Sequence, residues 1–258
     1  MQPLIRPLGV EPAPLGGLDR FDLDAAYSWP DGVWVRANFA ISSDGAIEVE
    51  GRSGTLGGPD DRKVFACLRA GADVVLVGSG TVRAEDYGVV RVDATGAAGR
   101  AERGQGPAVP VAVVTTRAEL APDAKLFRQS REAGVPVLVL TSSGAPDAAR
   151  AALAEVAEVV VCGEDAIDDR AVLGELARRG LHRILFEGGP TLMGRLLRQG
   201  LLDELCLTIS PVLVGPRRSG LLGTDPLDSV VRLQRTHLLG SDDGTLFGRY
   251  VVGAPQAQ

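Results

Sequence analysis

The chain has 258 residues, 45% of them hydrophobic and 23% charged, an ordinary globular make-up with enough length to bury an extensive core. Its formal net charge of −6 argues against broad electrostatic capture of nucleic acid or of an anionic membrane surface. The three cysteines, Cys67, Cys162 and Cys206, are far apart and the histidines are only His182 and His237, so neither a disulfide framework nor a histidine-rich metal centre is expected.

Residues 1 to about 30 read as an irregular lead-in. Pro3, Pro7, Pro12 and Pro14 stand where a secretory signal would need an apolar run, and no apolar stretch approaches the roughly 18 residues of a membrane span. A cytoplasmic protein is expected. Residues 31–253 then read as one domain, with no internal repeat and no clean linker. Val33 to Ala40 predicts a strand that ends at the turn Ser42-Ser43-Asp44-Gly45. After a glycine-rich stretch, Pro59 suits a first helical position and Asp60 and Asp61 suit the positive end of the helix dipole, with Gly71 as the stop.

Five continuous apolar strands follow, each running into small or hydroxyl residues. They are Asp73 to Val77 into Gly78-Ser79-Gly80-Thr81, Val111 to Val114 into Thr115-Thr116-Arg117, and Val137 to Leu140 into Thr141-Ser142-Ser143. Val159 to Val161 runs into Cys162-Gly163, and Arg183 to Phe186 into Glu187-Gly188-Gly189-Pro190. Unbroken apolar runs belong to strands covered on both faces, and helical patterns lie between several of them. The expected fold is therefore α/β, a three-layer domain with a mostly parallel mixed sheet flanked by helices. Ala94 to Pro107, rich in Gly and Ala, reads as a loop or insertion, and the final third, with Leu205 to Ile209 and Thr245 to Val252, reads as an antiparallel edge.

Ligands of such sheets bind outside the carboxyl ends of the strands, where the small residues collect. Glu187-Gly188-Gly189-Pro190-Thr191-Leu192 is the most informative segment. Paired glycines let a phosphate approach the backbone, and the helix start offers free N–H groups and a positive dipole end. A tight turn would explain the glycines alone but not an acid, Glu187, at a strand's carboxyl end. Gly78-Ser79-Gly80-Thr81 fails as a dinucleotide fingerprint because Arg83 replaces the third glycine, and stands as a generic ligand turn. Thr115, Thr116, Arg117, Ser142 and Ser143 sit at strand ends where a phosphate-bearing nucleotide can be held, with Arg117 the candidate for a 2′-phosphate, and Val161 is a further cofactor-side candidate. Ser42 to Gly45 reads on its own as a β-turn, and Gly51 to Gly58 as a loop suited to closing over a ligand. Zinc deaminase, Gly-x-Ser-x-Gly hydrolase and phosphate-loop patterns are all missing.

Taken in order, Ser42-Ser43-Asp44-Gly45, Gly51-Arg52-Ser53-Gly54, Leu68-Arg69-Ala70, Val77 to Val82, Glu187 to Leu192 and Leu202 to Gly215 resemble the reductase domain of the bacterial riboflavin-biosynthesis deaminase-reductase. That domain belongs to the pyrimidine reductase family of dihydrofolate-reductase-like fold, and the resemblance spans residues 33 to 252. It implies an NADPH-dependent oxidoreductase that passes hydride to C1′ of 5-amino-6-(5-phosphoribosylamino)uracil, and a homodimer. By the same resemblance Ala40, Thr55, Thr81, Glu85 and the segment Gly189 to Arg195 contact NADPH, while Ser53, Arg69, Val89 and Glu187 face the substrate. Glu187 would hydrogen-bond the substrate, and Asp44 would position a water that supplies the proton. The chain departs from the family pattern on the substrate side. Glu85 stands for the usual Asp, Tyr87 for Pro, Asn38 near the usual Lys, and Arg91, a residue out of register, is the stand-in for the arginine that holds the substrate phosphate. Reduction of a dihydrofolate or other pterin, and a non-catalytic NADPH-binding role, are the alternative readings.

Overall fold

The computed structural model describes residues 22–215 and 220–253. Most of the lead-in expected over residues 1–30 lies outside them. In chain order the amino-terminal half forms α1 (Leu23–Ala26), β1 (Trp34–Ser42), α2 (Pro59–Gly71), β2 (Val74–Gly78), α3 (Ser79–Ala84), β3 (Val90–Arg91), α4 (Ala94–Glu102), β4 (Ala108–Val109) and β5 (Val111–Val114). Next come α5 (Lys125–Glu132), β6 (Val137–Thr141), α6 (Asp147–Ala154), β7 (Glu158–Val161), α7 (Asp169–Arg178), β8 (Arg183–Phe186) and α8 (Pro190–Arg198). β9 (Glu204–Ser210), β10 (Leu233–Gly240) and β11 (Leu246–Val252) close the fold.

Nine strands form one sheet in the order β10-β11-β9-β1-β8-β2-β5-β6-β7, and β3 pairs with β4 apart from it. From β9 to β7 every pairing is parallel. The expected three-layer architecture is the one found, and the apolar runs explain it. Along β2, β5 and β8, Val75, Val77, Val111, Val113 and Leu185 pack on one face with Val64 and Leu68 of α2 and Phe127 of α5. The alternate residues Val74, Leu76, Ala112, Val114, Ile184 and Phe186 pack on the other with Leu176 of α7 and Met193 and Leu196 of α8. With a side-chain period of two, both registers must be apolar.

Two segments differ from expectation. Residues 94–102 are helical rather than a loop. The Asp93 carboxylate caps α4 by accepting from the Gly96 N–H at 2.8 Å, and alanines favour the helix. Gly96 is a packing residue, since a Cβ there would lie 2.8 Å from that of Ala70 on α2. The buried Arg100 guanidinium locks the contact, donating to the carbonyls of Gly106 at 2.7 Å and Ala72 at 2.5 Å. The other difference lies in the last third. β9 is interior and parallel to β1, and the antiparallel edge consists of β11 and a strand not foreseen, β10. Most of β10 is exposed and its sequence has no apolar run, so it carried no strand signal.

At the amino ends of the central strands a buried ion network ties β1, β9 and β11 together. Arg36 Nε lies 2.6 Å from Glu204 Oε1, and Arg249 donates to both Glu204 oxygens at 2.9 and 3.0 Å. Trp34 Nε1 adds a bond of 3.0 Å. Burial alone would raise the Glu204 pKa, but the two guanidiniums outweigh it and hold the carboxyl below its ordinary range. Glu204→Gln strands two buried cations, so unfolding by urea should show a loss of about 3–5 kcal/mol at neutral pH. The loss should shrink as the pH falls through the native pKa of Glu204, because the wild type is then protonated too.

Candidate active site

Two turns meet at the carboxyl ends of neighbouring strands. β2 passes through Gly78 into α3, and β8 passes through Glu187, Gly188 and Gly189 into α8. The Glu187 N–H donates to the Leu76 carbonyl at 3.0 Å, and the Gly78 N–H donates to the Gly188 carbonyl at 2.7 Å. Gly188 has φ +117°, a conformation side chains avoid. A Cβ at Gly189 would lie 2.9 Å from Thr81 Oγ1. The glycines therefore bring the two turns into contact. Gly189 caps α8 without any side-chain bond, and Pro190 opens the helix, so its first-turn N–H groups face outward unclaimed by a capping side chain. By contrast, α4 and α7 start on Asp93 and Asp168, whose carboxylates take such groups.

These turns floor a cavity of about 840 Å³, near the upper end of ordinary ligand clefts. Of the residues assigned to cofactor by sequence, Ala40, Thr81, Glu85, Thr115, Gly188, Gly189, Pro190, Thr191 and Leu192 line it. Of those assigned to substrate, Ser53, Arg69, Val89 and Glu187 do. Ser53 donates its N–H to Glu85 Oε1 at 2.9 Å, which ties the glycine-rich loop to the end of α3.

Five expected residues do not line it. Thr55 is exposed. Arg91 is exposed beside the buried Val90, so it does not replace the missing phosphate ligand at this cavity. The Arg117 side chain is 76% exposed and lies 3.4 Å from Glu119. Val161 is half exposed on β7, four strands from β8 and thus about 19 Å away at 4.8 Å per strand. Asp44 is a strut of its turn, accepting from Ser42 Oγ at 2.5 Å and from the Val214 and Gly215 N–H groups at 3.2 and 2.8 Å. Those bonds, the Ser42 hydroxyl first, lower its pKa to about 2 and engage both of its oxygens away from the cavity lining.

Glu187 is held on both oxygens at the cavity wall. Its side chain is 4% exposed, and Arg69 of α2 meets it with two bonds, Nε to Oε1 at 2.8 Å and Nη2 to Oε2 at 2.7 Å. The Arg69 guanidinium also lies 3.8 Å from the Phe65 ring centroid. Burial pulls the Arg69 pKa down, but the Glu187 charge outweighs it and the guanidinium stays above its ordinary value. The Tyr87 hydroxyl also donates to Glu187 Oε2 and accepts from Arg69 Nη2 at 3.1 Å. Sequence reading gave Tyr87 no role, and its signal was the break from the family's proline. Asp61 and Lys125 line the cavity too. Asp61, which in the sequence matches the helix dipole, has its carboxyl pushed up by burial, against a hydrogen bond from Thr208.

A family model described as the RibD C-terminal domain matches residues 33–247. The chain belongs to that family. It is a reductase of the riboflavin-biosynthesis type, as the ordered motifs implied. Several relatives bear the name 2,5-diamino-6-ribosylamino-4(3H)-pyrimidinone 5′-phosphate reductase. The one from Archaeoglobus fulgidus is 33% identical over 187 residues, which are 72% of this chain and 84% of that protein. The one from Methanothermobacter thermautotrophicus is 33% identical over 217 residues, 81% of this chain and 94% of that protein. A crystal structure of a pyrimidine reductase-like protein from Corynebacterium diphtheriae superposes with a TM-score of 0.81 at 28% identity, covering 90% of this chain and 98% of that one. Among the described residues no helix is long and apolar enough to cross a membrane.

Gly189→Ala should push the Thr81 and Gly189 turns apart at a cost of about 1–3 kcal/mol, an overpacking penalty. A thermal melt should show the loss, and adding Thr81→Ala, which removes the crowded oxygen, should restore part of it. The Asp44 strut has a separate signature. Its native pKa of about 2 lies below the ordinary 3.8, so its tie to residues 214 and 215 is complete above about pH 4. The tie should weaken as the pH falls toward 2, seen as faster hydrogen exchange at Val214 and Gly215 than in the rest of the sheet.

Proposed function

We propose that this chain is an NADPH-dependent reductase of a 6-(5-phosphoribosylamino)pyrimidine, with 5-amino-6-(5-phosphoribosylamino)uracil as the substrate. The observation that carries the reading is one continuous cavity with an uncapped glycine turn on one side and the Glu187–Arg69 pair on the other. The cofactor side fits a dinucleotide. Gly188 and Gly189 present bare backbone, Thr81 offers a hydroxyl beside it, and the α8 first turn offers N–H groups and dipole to a phosphate. When bound there, NADPH supplies a hydride from its nicotinamide ring.

The residues of the chain do the positioning. Glu187 accepts from a ring N–H of the pyrimidine and fixes its orientation, because Arg69 leaves the carboxylate no freedom to turn. Phe39 and Phe65 line the same space and exclude water, which keeps reacting carbon atoms in contact. The acceptor is C1′ of the opened ribose in its imine form, which gains the hydride, and the attached nitrogen takes a proton from water. Asp44 is not placed to help. The relatives named above support the ribosylaminopyrimidine class, and no observation favours a pterin. The expected homodimer and cytoplasmic setting belong to the same reading. Exposed Val230, Leu233 and Leu238 along and before the β10 edge support the dimer, which light scattering would show as twice 26.9 kDa.

The decisive assay follows NADPH absorbance with the phosphoribosylaminouracil. Wild type should oxidise NADPH, and Glu187→Gln should lower kcat/KM by about 10- to 100-fold, since one charged hydrogen bond is worth about 1.5–3 kcal/mol. NADPH affinity by titration should change little. Absence of NADPH binding would overturn the reading.

A further inference from the structure

A phosphate monoester carries about two negative charges into the cavity, and a cation has to meet them. Among the described residues, the cations that line the cavity are Arg62, Arg69, Lys125 and Arg195. Two of them are committed. Arg69 gives two bonds to Glu187, and Arg195 gives two to Asp169. Arg62 lies seven residues before Arg69 on α2, about 10 Å from it along the helix axis. Lys125 opens α5, which packs with α2 on one face of the sheet, while α8, whose first turn suits the cofactor, packs on the other. Lys125 is therefore on the Arg69 side.

The Lys125 stem passes the backbone next to the Glu187 anchor. A Cβ at Gly88 would lie 3.2 Å from Lys125 Cε, and the neighbouring Tyr87 donates its hydroxyl to Glu187 Oε2. Gln129, one turn further along α5, accepts from the Val89 N–H at 3.2 Å and ties the same segment to the helix. Lys125 Nζ donates to the Asp86 carbonyl at 3.2 Å and to its carboxylate at 3.3 Å. That pair is exposed, Lys125 by 39% and Asp86 by 76%, so it holds weakly and the ammonium can exchange partners. Lys125 is also the first residue of α5, at the positive end of the helix dipole, behind a cap without a side-chain bond. A cation is unfavourable there unless an anion joins it.

We propose that Lys125 is the substrate-binding residue that receives the phosphate monoester of the ribosylaminopyrimidine, with Glu187 holding the ring at the other end. The Tyr87 side chain lies between the two positions, and an opened pentose spans a comparable length. As phosphate arrives, the ammonium passes to it from the Asp86 carboxylate, which turns to solvent. Glu85, which also lines the cavity, is tied to the Ser53 N–H. A lysine suits this end because its ammonium is a point charge on a flexible stem with three rotatable donors. The assignment rests on the function proposed above.

The test compares kcat/KM for 5-amino-6-(5-phosphoribosylamino)uracil and for its dephosphorylated ribosylamino form, in wild type, Lys125→Met, Lys125→Arg and Arg62→Met. Lys125→Met should cost the phosphorylated substrate about tenfold, the worth of one hydrogen bond to a charged group, and leave the dephosphorylated one unchanged. Lys125→Arg should restore most of the loss, and Arg62→Met should keep the wild-type preference for phosphate. The ratio of NADPH to NADH affinity, by titration, should stay constant in every variant. Equal losses on both substrates would show Lys125 to be packing alone and overturn the inference. So would a Lys125→Met variant with the wild-type preference, or an Arg62→Met variant that loses it. A Lys125→Met variant that loses NADPH affinity and keeps that for NADH would put the cofactor's 2′-phosphate at Lys125 and overturn the inference too. A wild type that binds NADPH but reduces neither compound would remove the proposed function, and the inference with it.

Discussion

The site depends on two backbone hydrogen bonds. Glu187 to Leu76 and Gly78 to Gly188 hold the loops after β8 and β2 side by side, although 110 residues of chain separate Gly78 from Gly188. Each is the continuation of a strand ladder by one more rung, so the sheet itself sets the spacing. Only glycine tolerates so close an approach with the φ that Gly188 adopts. The bare backbone that suits a phosphate is therefore the same backbone that lets the turns touch. Packing and binding make one demand, and neither can be altered without the other.

Charge is arranged by a consistent rule around that junction. Three carboxylates whose side chains are at most 4% exposed are each held by guanidinium, Glu187 by Arg69, Asp169 by Arg195 and Glu204 by Arg36 and Arg249. Glu204 lies at the amino ends of the strands and serves stability. Asp169 sits under α8 and steadies the helix whose first turn faces the cavity. Glu187 alone among the three lines the cavity. An isolated buried carboxylate would shed its charge, so its partner is what makes it usable as an acceptor.

The parallel core was readable because continuous apolar runs leave no other placement for strands than between two layers. The β2 and β8 turns were readable for a similar reason, since small residues at strand ends have few other causes. The rest was hidden for identifiable reasons. β10 is exposed and amphipathic in no clear period, and α4 was masked by glycines, of which Gly96 serves a helix contact rather than a turn. Arg91 rests on a family register that is off by one residue and Arg117 on charge at a strand end, and whether a long side chain turns inward depends on what it finds there. Arg117 found Glu119. Tyr87 was invisible as a partner of Glu187 because 100 residues lie between them.

Arg100 has a reach beyond its own helix. It is a buried cation for which peptide carbonyls, not a carboxylate, supply the hydrogen bonds, and those of Ala72 and Gly106 come from chain segments before and after α4. A guanidinium can satisfy its rigid fork only if every segment is in place, so the excursion from Asp93 to Val109 must detach as one cooperative unit instead of fraying from its tip. Ala72 is also the C-cap of α2, and its N–H bonds to the Arg69 carbonyl. Detachment would thus loosen the last turn of the helix that aims Arg69, and a peripheral insertion becomes a remote handle on the Glu187 carboxylate of the cavity.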